Sequence, residues 1–183
     1  MKSNPEALTA EQVIKLLDLS PLPIEGGHFR RTYYAEEQVN KSTLPARYHG
    51  PHRFGGAIFY LLNDAPDSFS ALHSLPTDEI YHFYLGDPVE LLLLNPDGMT
   101  SRITLGSDLL NGQQVQYVVK RNVWQGSHLL PGGRWALMGT TMAPAFEDSD
   151  YTPGNREQLI GEYPAEADLI RRLTRSAGGC VAS

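Results

Sequence analysis

The sequence contains little cysteine, no long apolar run and no excess of positive charge. The single cysteine, Cys180, has no intrachain partner, which excludes an intrachain disulfide framework and suits a reducing compartment. The longest aliphatic run is the four leucines at residues 91–94, and residues 1–6 lack the apolar core of a signal peptide. We therefore expect a cytoplasmic protein without a membrane partner. Fifteen Lys and Arg residues against 21 Asp and Glu residues give a net charge of -6, which repels a phosphate backbone, so we expect no nucleic-acid partner.

The chain length and composition predict one globular domain with an all-β body. At 183 residues the chain is too short for two full cores, and 41% apolar residues are enough to bury one. Seventeen glycines and 13 prolines are spread along the sequence, which favours short strands over long helices. Strand-like runs are predicted at residues 29–34, 57–62, 69–73, 80–85, 89–94, 103–105, 114–119, 123–127 and 135–142. Such a series is typical of a β-sandwich or a small barrel, and the polar stretch 40–51 is predicted to be a mobile loop.

Short helices are predicted near both ends of the chain. Thr9 and Gln12 have the spacing of a capping box, and an apolar pattern with helical spacing follows them. Near the other end, Leu169, Ile170 and Leu173 form an apolar stripe. We expect this C-terminal helix to pack on the outside of the β body.

The strand-like run that begins at Glu79 carries the first candidate functional residues. Because every second side chain of a strand lies on the same face, Glu79, Tyr81 and Phe83 share one face and the residues between them share the other. If the first face is the interior, a carboxylate and two aromatic rings line a cavity that can stack a planar or sugar ring; the opposite choice buries the other set. His73 lies one short connection earlier, and a carboxylate close to a histidine favours the charged imidazole and fixes its tautomer, which makes this pair a candidate general base.

The segment Ser70–Gly86 resembles the first conserved motif of the cupin superfamily. In that motif a histidine ends one strand, a glutamate begins the next and a glycine closes the following turn, and His73, Glu79 and Gly86 match this order. Cupins ordinarily carry two histidines one residue apart, whereas the position of the second histidine is Ala71 here. One of the metal ligands that the resemblance implies is therefore missing.

The segment Lys120–Gln125 is similar to the second cupin motif, which normally supplies a further histidine. Gln125 stands about where that histidine would be. Zinc, iron and manganese prefer imidazole nitrogen and carboxylate oxygen, and a neutral amide oxygen is a weak ligand for them. The sequence therefore implies no firm cofactor and leaves a divalent metal open.

Five further segments occur in the order seen in the cupin-5 (DUF985) family, and this resemblance runs from about Leu8 to Leu173. They are residues 26–33, 78–88, 95–98, 123–125 and 143–148. The resemblance implies a single cupin domain over residues 1–183, with its core at about 8–173. It also implies an all-β double-stranded β-helix, the jelly-roll barrel, with short N- and C-terminal helices, an internal pocket and a homodimer. Ser74 and Ala145 depart from the residues common in the family, at positions expected at the pocket rim. A looser likeness to the deoxysugar 3,5-epimerases implies metal-free chemistry with a histidine base and a tyrosine acid.

We therefore expect a cupin that binds a small polar ligand, such as a carbohydrate or a nucleotide-linked sugar. If it is an enzyme, the leading hypothesis is metal-independent epimerisation or isomerisation with His73 as base, Glu79 orienting it and Tyr81 as acid. The candidate ligand-binding residues are Arg30, Ser70, Phe83 and Gln125. The alternatives are a dioxygenase-like enzyme that uses a divalent metal and a non-catalytic module that binds a metabolite.

Overall fold

The computed structural model describes residues 8–175, so Cys180 and the segment 1–7 lie outside the described residues. The described chain forms three α-helices, α1 (Ala10–Leu16), α2 (Arg156–Glu162) and α3 (Ala167–Arg172). It also forms 13 strands: β1 (Ser20–Pro21), β2 (His28–Tyr34), β3 (Gln38–Val39), β4 (His52–Arg53), β5 (Gly56–Asn63), β6 (Ser70–Ser74), β7 (Glu79–Gly86), β8 (Val89–Leu94), β9 (Thr100–Leu105), β10 (Gln116–Val119), β11 (Trp124–Leu129), β12 (Trp135–Met142) and β13 (Thr152–Pro153).

Two antiparallel sheets form a jelly-roll barrel, as the sequence predicts. The larger sheet has the strand order β1-β2-β5-β12-β7-β10, and the smaller sheet has the order β13-β6-β11-β8-β9. Strands β3 and β4 pair separately. Consecutive strands β6 and β7 belong to different sheets, as do β11 and β12, so the chain crosses between the sheets repeatedly. This topology encloses a space between the two inner faces.

The apolar core fills one end of that space. Its buried residues come from both sheets, and they are Tyr60, Leu62, Tyr81, Phe83, Val89, Leu91, Leu93, Leu105, Val119, Val123, Leu129, Ala136 and Met138. The strands continue to the other end with different residues: β7 begins with Glu79, β5 begins with Gly56, and β12 ends with Met142. The open end of the barrel is therefore built from the first residues of β5 and β7 and the last residues of β12.

The helices cover the outer faces of the sheets. On the smaller sheet, Ile170 of α3 and Leu173, which directly follows that helix, join one buried apolar cluster with Leu72. On the larger sheet, Val13 of α1 joins another cluster with Leu61. The C-terminal helix thus packs outside the barrel, as its apolar stripe predicts. None of the helices in the described part of the chain has the length and apolar character needed to cross a membrane.

The nine predicted runs correspond to β2 and to β5 through β12, and β8 and β12 match at both ends. The predicted capping box is present: Gln12 N donates to Thr9 Oγ1 at 3.3 Å, and Thr9 N donates to Gln12 Oε1 at 2.9 Å. Local periodicity and capping chemistry therefore identify these elements correctly. The two-residue strands were not predicted, because they are too short to show a period, and helix α2 was not predicted either.

The stretch 40–51 differs from the mobile loop that its polarity predicts. Tyr48 is only 1% exposed, and its hydroxyl lies 2.8 Å from Thr77 Oγ1 in the connection between β6 and β7. Arg47 Nε donates to the Pro76 carbonyl of the same connection at 2.9 Å. Because Tyr48 is buried and both Tyr48 and Arg47 form hydrogen bonds to the connection between β6 and β7, this loop is anchored to the open end of the barrel.

Candidate functional site

A cavity of about 520 Å³ occupies the open end of the barrel. This volume lies within the range of small-molecule sites. Most of its wall is apolar, and the apolar side chains include Leu22, Phe29, Ile58, Leu75, Met142 and Phe146. The titratable side chains on the wall are Glu25, Arg31, Tyr34, His73, Glu79, Asp148 and Tyr151. The barrel therefore offers an apolar pocket with a small set of polar groups, which is the usual composition of a ligand site.

Glu79 lies on the cavity wall because it is the first residue of β7 and β7 turns its odd-numbered side chains inward. The buried pattern of Glu79, Tyr81 and Phe83 confirms this choice of face. Burial raises the pKa of the Glu79 carboxyl above its usual value, and a protonated His73 would oppose this rise. Glu25 raises the pKa further, and hydrogen bonding to Thr140 and Gln125 lowers it. Burial therefore makes the ionised form of Glu79 energetically unfavourable at this site.

His73, on β6, lies on the opposite wall of the cavity and is 2% exposed. Its Nδ1 lies 2.8 Å from the carbonyl oxygen of Ala71, which can only accept a hydrogen bond, so Nδ1 carries a proton. The ring of Tyr151 stacks on the imidazole with centroids 5.0 Å apart and an interplanar angle of 21°. In the neutral ring the lone pair therefore belongs to Nε2, and both the tautomer and the ring plane are fixed.

Gln125 joins the two candidate catalytic residues. It lies directly opposite His73 in the β6–β11 register. Its Nε2 donates to Glu79 Oε2 at 2.7 Å and lies 3.4 Å from His73 Nε2. No ion pair links His73 to Glu79 among the described residues, so the direct pairing that the sequence suggests is replaced by a bridge. The bridge exists because the two residues lie on different sheets and Gln125 spans the gap between them.

The amide orientation of Gln125 agrees with a neutral His73. The amide nitrogen can donate both to the Nε2 lone pair and to the carboxyl oxygen of Glu79. The amide oxygen can only accept, so the opposite orientation would require both partners to carry protons. The Gln125 side chain is buried, and its Oε1 has no hydrogen-bond partner among the described residues. The arrangement is therefore a polar cluster with one unused acceptor.

Glu25 is a second carboxyl residue of the cavity, and the sequence analysis missed it. It lies in the connection between β1 and β2, and its Oε1 accepts a hydrogen bond of 2.6 Å from Ser70 Oγ. Ser70 is fully buried and is not on the cavity wall, so the predicted ligand-binding role becomes one of holding Glu25. Burial raises the pKa of Tyr151 strongly, and the charge of Glu25 adds to the effect.

Tyr81 and Phe83 are buried in the closed apolar core and are not among the residues that line the cavity. Burial raises the pKa of the Tyr81 hydroxyl well above its usual value, and the charge of Glu79 adds to this effect, so the hydroxyl is a poor proton donor. Tyr151 is instead the tyrosine that contacts His73. The assignments of Tyr81 as acid and Phe83 as a ligand contact are therefore not carried forward.

Arg30 lies on the wrong face of β2 for the ligand-binding role that was predicted. Its guanidinium lies 5.6 Å from the ring centroid of Phe59, a residue packed against the cluster beneath α1 on the outside of the larger sheet. The next residue, Arg31, lines the cavity, and its guanidinium lies over the ring of Tyr34 at 4.2 Å. Because every second residue of a strand lies on the same face, Arg31 shares a face with the apolar Phe29, and this pattern could have identified Arg31.

A buried ion pair holds the segment that carries Tyr151. His52 Nε2 lies 2.9 Å from Asp150 Oδ2, and both side chains are 0% exposed. His52 Nδ1 lies 3.0 Å from the Gly50 carbonyl, so both ring nitrogens face hydrogen-bond acceptors. The neighbouring Glu147 accepts a hydrogen bond from the hydroxyl of Tyr34 on β2. These contacts fix the segment 147–151 across the open end of the barrel.

The side chains at the site do not fit a tightly bound transition metal. No cluster of three or more His, Cys, Asp or Glu side chains within residues 8–175 is arranged to hold a metal ion. The third candidate, Gln125, presents its amide nitrogen to His73 and Glu79, and a nitrogen that donates hydrogen bonds is not a metal ligand. Ala71, where a second histidine would lie, contributes no donor side chain.

A jelly roll that encloses a pocket of this kind is the architecture of the cupins. The family described as Cupin superfamily (DUF985) matches residues 11–153. The chain belongs to this family, as the sequence motifs predict.

The chain is also similar to one curated protein and to solved structures. The protein is 31% identical over 137 residues to the uncharacterized protein YML079W of Saccharomyces cerevisiae, which covers 70% of this chain and 67% of the yeast protein. The crystal structure of protein SO0799 from Shewanella oneidensis superposes with a TM-score of 0.80 at 27% identity, and the match covers 92% of this chain and 99% of that one. A hypothetical protein from Leishmania major superposes with a TM-score of 0.80 at 25% identity, over 92% of this chain and all of that one (100%).

Proposed function

We propose that the protein binds a small organic molecule in the barrel cavity and that His73 acts there as the base of a metal-independent proton transfer, of the isomerase or epimerase type. The observation that carries this proposal is the state of His73. Its Nδ1 faces the Ala71 carbonyl at 2.8 Å, the ring is held against Tyr151, and Nε2, which carries the lone pair of the neutral ring, lies on the wall of a cavity. A general base requires a basic lone pair, a fixed orientation and access to a ligand, and the lone pair of His73 Nε2 faces a long contact of 3.4 Å with Gln125 Nε2.

The proposed step is balanced within the site. His73 Nε2 takes a proton from a carbon next to a carbonyl group of the ligand, and the electron pair of the broken C–H bond moves onto the carbonyl oxygen as an enolate. The imidazolium then returns a proton to carbon, which reforms the C–H bond and restores the neutral ring. If the attacked carbon carries a hydroxyl group, the hydroxyl proton moves to the enolate oxygen, the proton from His73 goes to the former carbonyl carbon, and the product is an isomer. If water instead donates a proton to the opposite face of the enolate, the product is an epimer, and the imidazolium returns its proton to the hydroxide that forms. Glu79 supports the step because its charge stabilises the imidazolium.

The charge of the cavity wall argues for a ligand without phosphate groups. Three carboxyl residues, Glu25, Glu79 and Asp148, line the cavity, against one arginine, Arg31. A diphosphate would meet net repulsion at this wall. The proposal therefore retains the proton-transfer chemistry of the sequence hypothesis and sets aside a nucleotide-linked substrate.

The test is solvent deuterium exchange. The purified protein is incubated in D₂O with neutral hexoses, deoxyhexoses and amino sugars, and deuterium incorporation at carbon is followed by proton NMR. We expect exchange at one carbon of at least one compound with the wild-type protein. The His73→Asn variant keeps a donor for the Ala71 carbonyl and loses the base, so its exchange rate should fall by about 100-fold or more.

The matched control is His49→Asn, because His49 is an exposed histidine outside the cavity wall. Its exchange rate should equal that of the wild type. Deuterium exchange that persists in His73→Asn would refute the role of His73 as the base. The same conclusion would follow if the wild-type protein exchanged deuterium into none of the compounds.

A further inference from the structure

We propose that the ligand of the cavity carries a protonated amine, which the carboxylates of Glu25 and Glu79 bind inside an otherwise apolar pocket. The inference deepens the proposed function and rests on it only in taking the barrel cavity as the ligand site. It assigns a chemical class, an organic cation with an apolar body, and it assigns a binding role to Glu25.

The first argument is that both carboxylates have only neutral partners. Ser70 Oγ donates to Glu25 at 2.6 Å, and Gln125 Nε2 donates to Glu79 at 2.7 Å. Among residues 8–175, neither carboxylate forms an ion pair with a Lys, Arg or His side chain. Glu79 is only 7% exposed, and a carboxylate at such a depth is costly without a counter-charge. A cationic ligand supplies the charge that the protein itself does not.

The second argument is that the nearby arginines are directed elsewhere. Arg31 lies over the ring of Tyr34. Arg175 lies over the ring of Phe69 at 4.8 Å and lies 3.5 Å from the backbone carbonyl, not the carboxylate, of Glu25. Neither guanidinium therefore neutralises the two carboxylates.

The third argument is the apolar and aromatic character of the rest of the wall. The rings of Phe29 and Phe146 line the same cavity as the carboxylates. The faces of aromatic rings attract organic cations, and a body of carbon atoms gains from leaving water for an apolar pocket. A small inorganic cation would not use these rings, whereas an alkyl or aryl ammonium ion uses both the rings and the carboxylates.

The experiment compares three probes that share one apolar body and differ in charge: phenethylamine, 2-phenylethanol and 3-phenylpropionate. Their dissociation constants for the full-length protein are measured at pH 7.5 by NMR titration. We expect the amine to bind at least tenfold more tightly than the alcohol and the carboxylate to bind most weakly. In Glu25→Gln the affinity for the amine should fall about tenfold, whereas the affinity for the alcohol should stay unchanged.

Glu79→Gln is the second variant, and it should show the same selective loss of affinity for the amine. It keeps the test decisive if Glu25→Gln does not fold. Glu157→Gln is the control, because Glu157 is exposed on α2. Equal affinities for the amine and the alcohol, or no binding of any probe, would overturn the amine assignment. Tightest binding of the carboxylate, with loss of that binding in Arg31→Gln, would assign the cavity to an anion instead. The deuterium exchange through His73 does not depend on these outcomes, so the two proposals can fail separately.

Discussion

The buried pair His52–Asp150 offers a quantitative test of how the open end of the barrel is held. Both side chains are 0% exposed, and Asp150 Oδ2 also accepts a 3.1 Å hydrogen bond from Glu147 N. The substitution His52→Leu keeps a side chain of similar size and leaves the carboxylate buried without its counter-charge. Removing one partner of a buried pair costs about 3–5 kcal/mol. For a chain of this length that loss corresponds to a fall in Tm of roughly 6–20 °C.

The assay is chemical denaturation with calorimetry at pH 7.5, and the control is Lys120→Met. Lys120 pairs with Asp78 at a similar distance, 2.9 Å, but its side chain is 71% exposed. Loss of an exposed pair costs about 1 kcal/mol or less. The double substitution of His52 and Asp150 by leucine should recover most of the loss, because no unpaired charge then remains. If His52→Leu costs no more than Lys120→Met, the His52–Asp150 pair does not stabilise this end of the barrel.

Three further predictions concern the carboxyl group, a motif glycine and the assembly. Burial raises the pKa of the Glu79 carboxyl in the folded state. The folded protein therefore keeps the carboxyl proton to a higher pH than the unfolded chain does, and above the folded pKa the ionised carboxylate lowers the stability of the fold. Glu79→Gln should therefore raise Tm at pH 7.5 and lose this advantage near about pH 4, and an equal gain at both pH values would contradict the reasoning. In denaturant titrations, Gly86→Ala should destabilise the protein by about 2 kcal/mol more than Gly98→Ala. Both glycines have positive φ, but a Cβ at Gly86 would lie 2.3 Å from the Trp135 carbonyl oxygen, whereas a Cβ at Gly98 would meet no atom within 4 Å. Similar losses of stability in the two variants would refute this explanation. The homodimer that the family resemblance implies should form through the outer face of the larger sheet, where Val118 is 39% exposed. Val118→Asp should therefore sediment as a monomer, and a wild-type protein that sediments as a monomer would disprove the dimer.

The fold could be predicted because its signals are local. Alternation, turn residues and capping chemistry each act over a few residues, and they locate β2, β5–β12 and α1 close to their observed bounds. Helix α2 had a local signal that was overlooked, since the Asn155 side chain caps it by accepting from Gln158 N at 2.9 Å. Strand β13 has only two residues, so no period can reveal it. The order of the strands was not readable from the residues, and the jelly-roll architecture was expected from the resemblance to a family.

The candidate site was predictable only where its residues lie in the motifs. His73, Glu79 and Gln125 form one connected cluster, as their positions in the cupin motifs suggest. Glu25 and Tyr151 reach the cavity from connections distant in sequence, where no alternation indicates which way a side chain points. Depth along a strand is equally hidden, because alternation assigns a residue to the inner face without saying whether the barrel is filled or hollow at that level. The acid role of Tyr81 failed for this reason.

The hollow end of the barrel is a property of the sequence and not a requirement of the fold. Strands β5 and β12 supply Leu62 and Met138 to a closely packed core at one end, which shows that their inner faces can be filled. At the other end the same strands contribute Ala57 and Thr140 to the cavity wall, and β7 contributes a buried carboxyl. Larger apolar side chains at these positions would bury more surface and remove the cost of placing a charge there. The protein forgoes that stability at one end only, and it places His73, Gln125 and Glu79 there in hydrogen-bonded contact; both features support the proposal that the cavity is a ligand site.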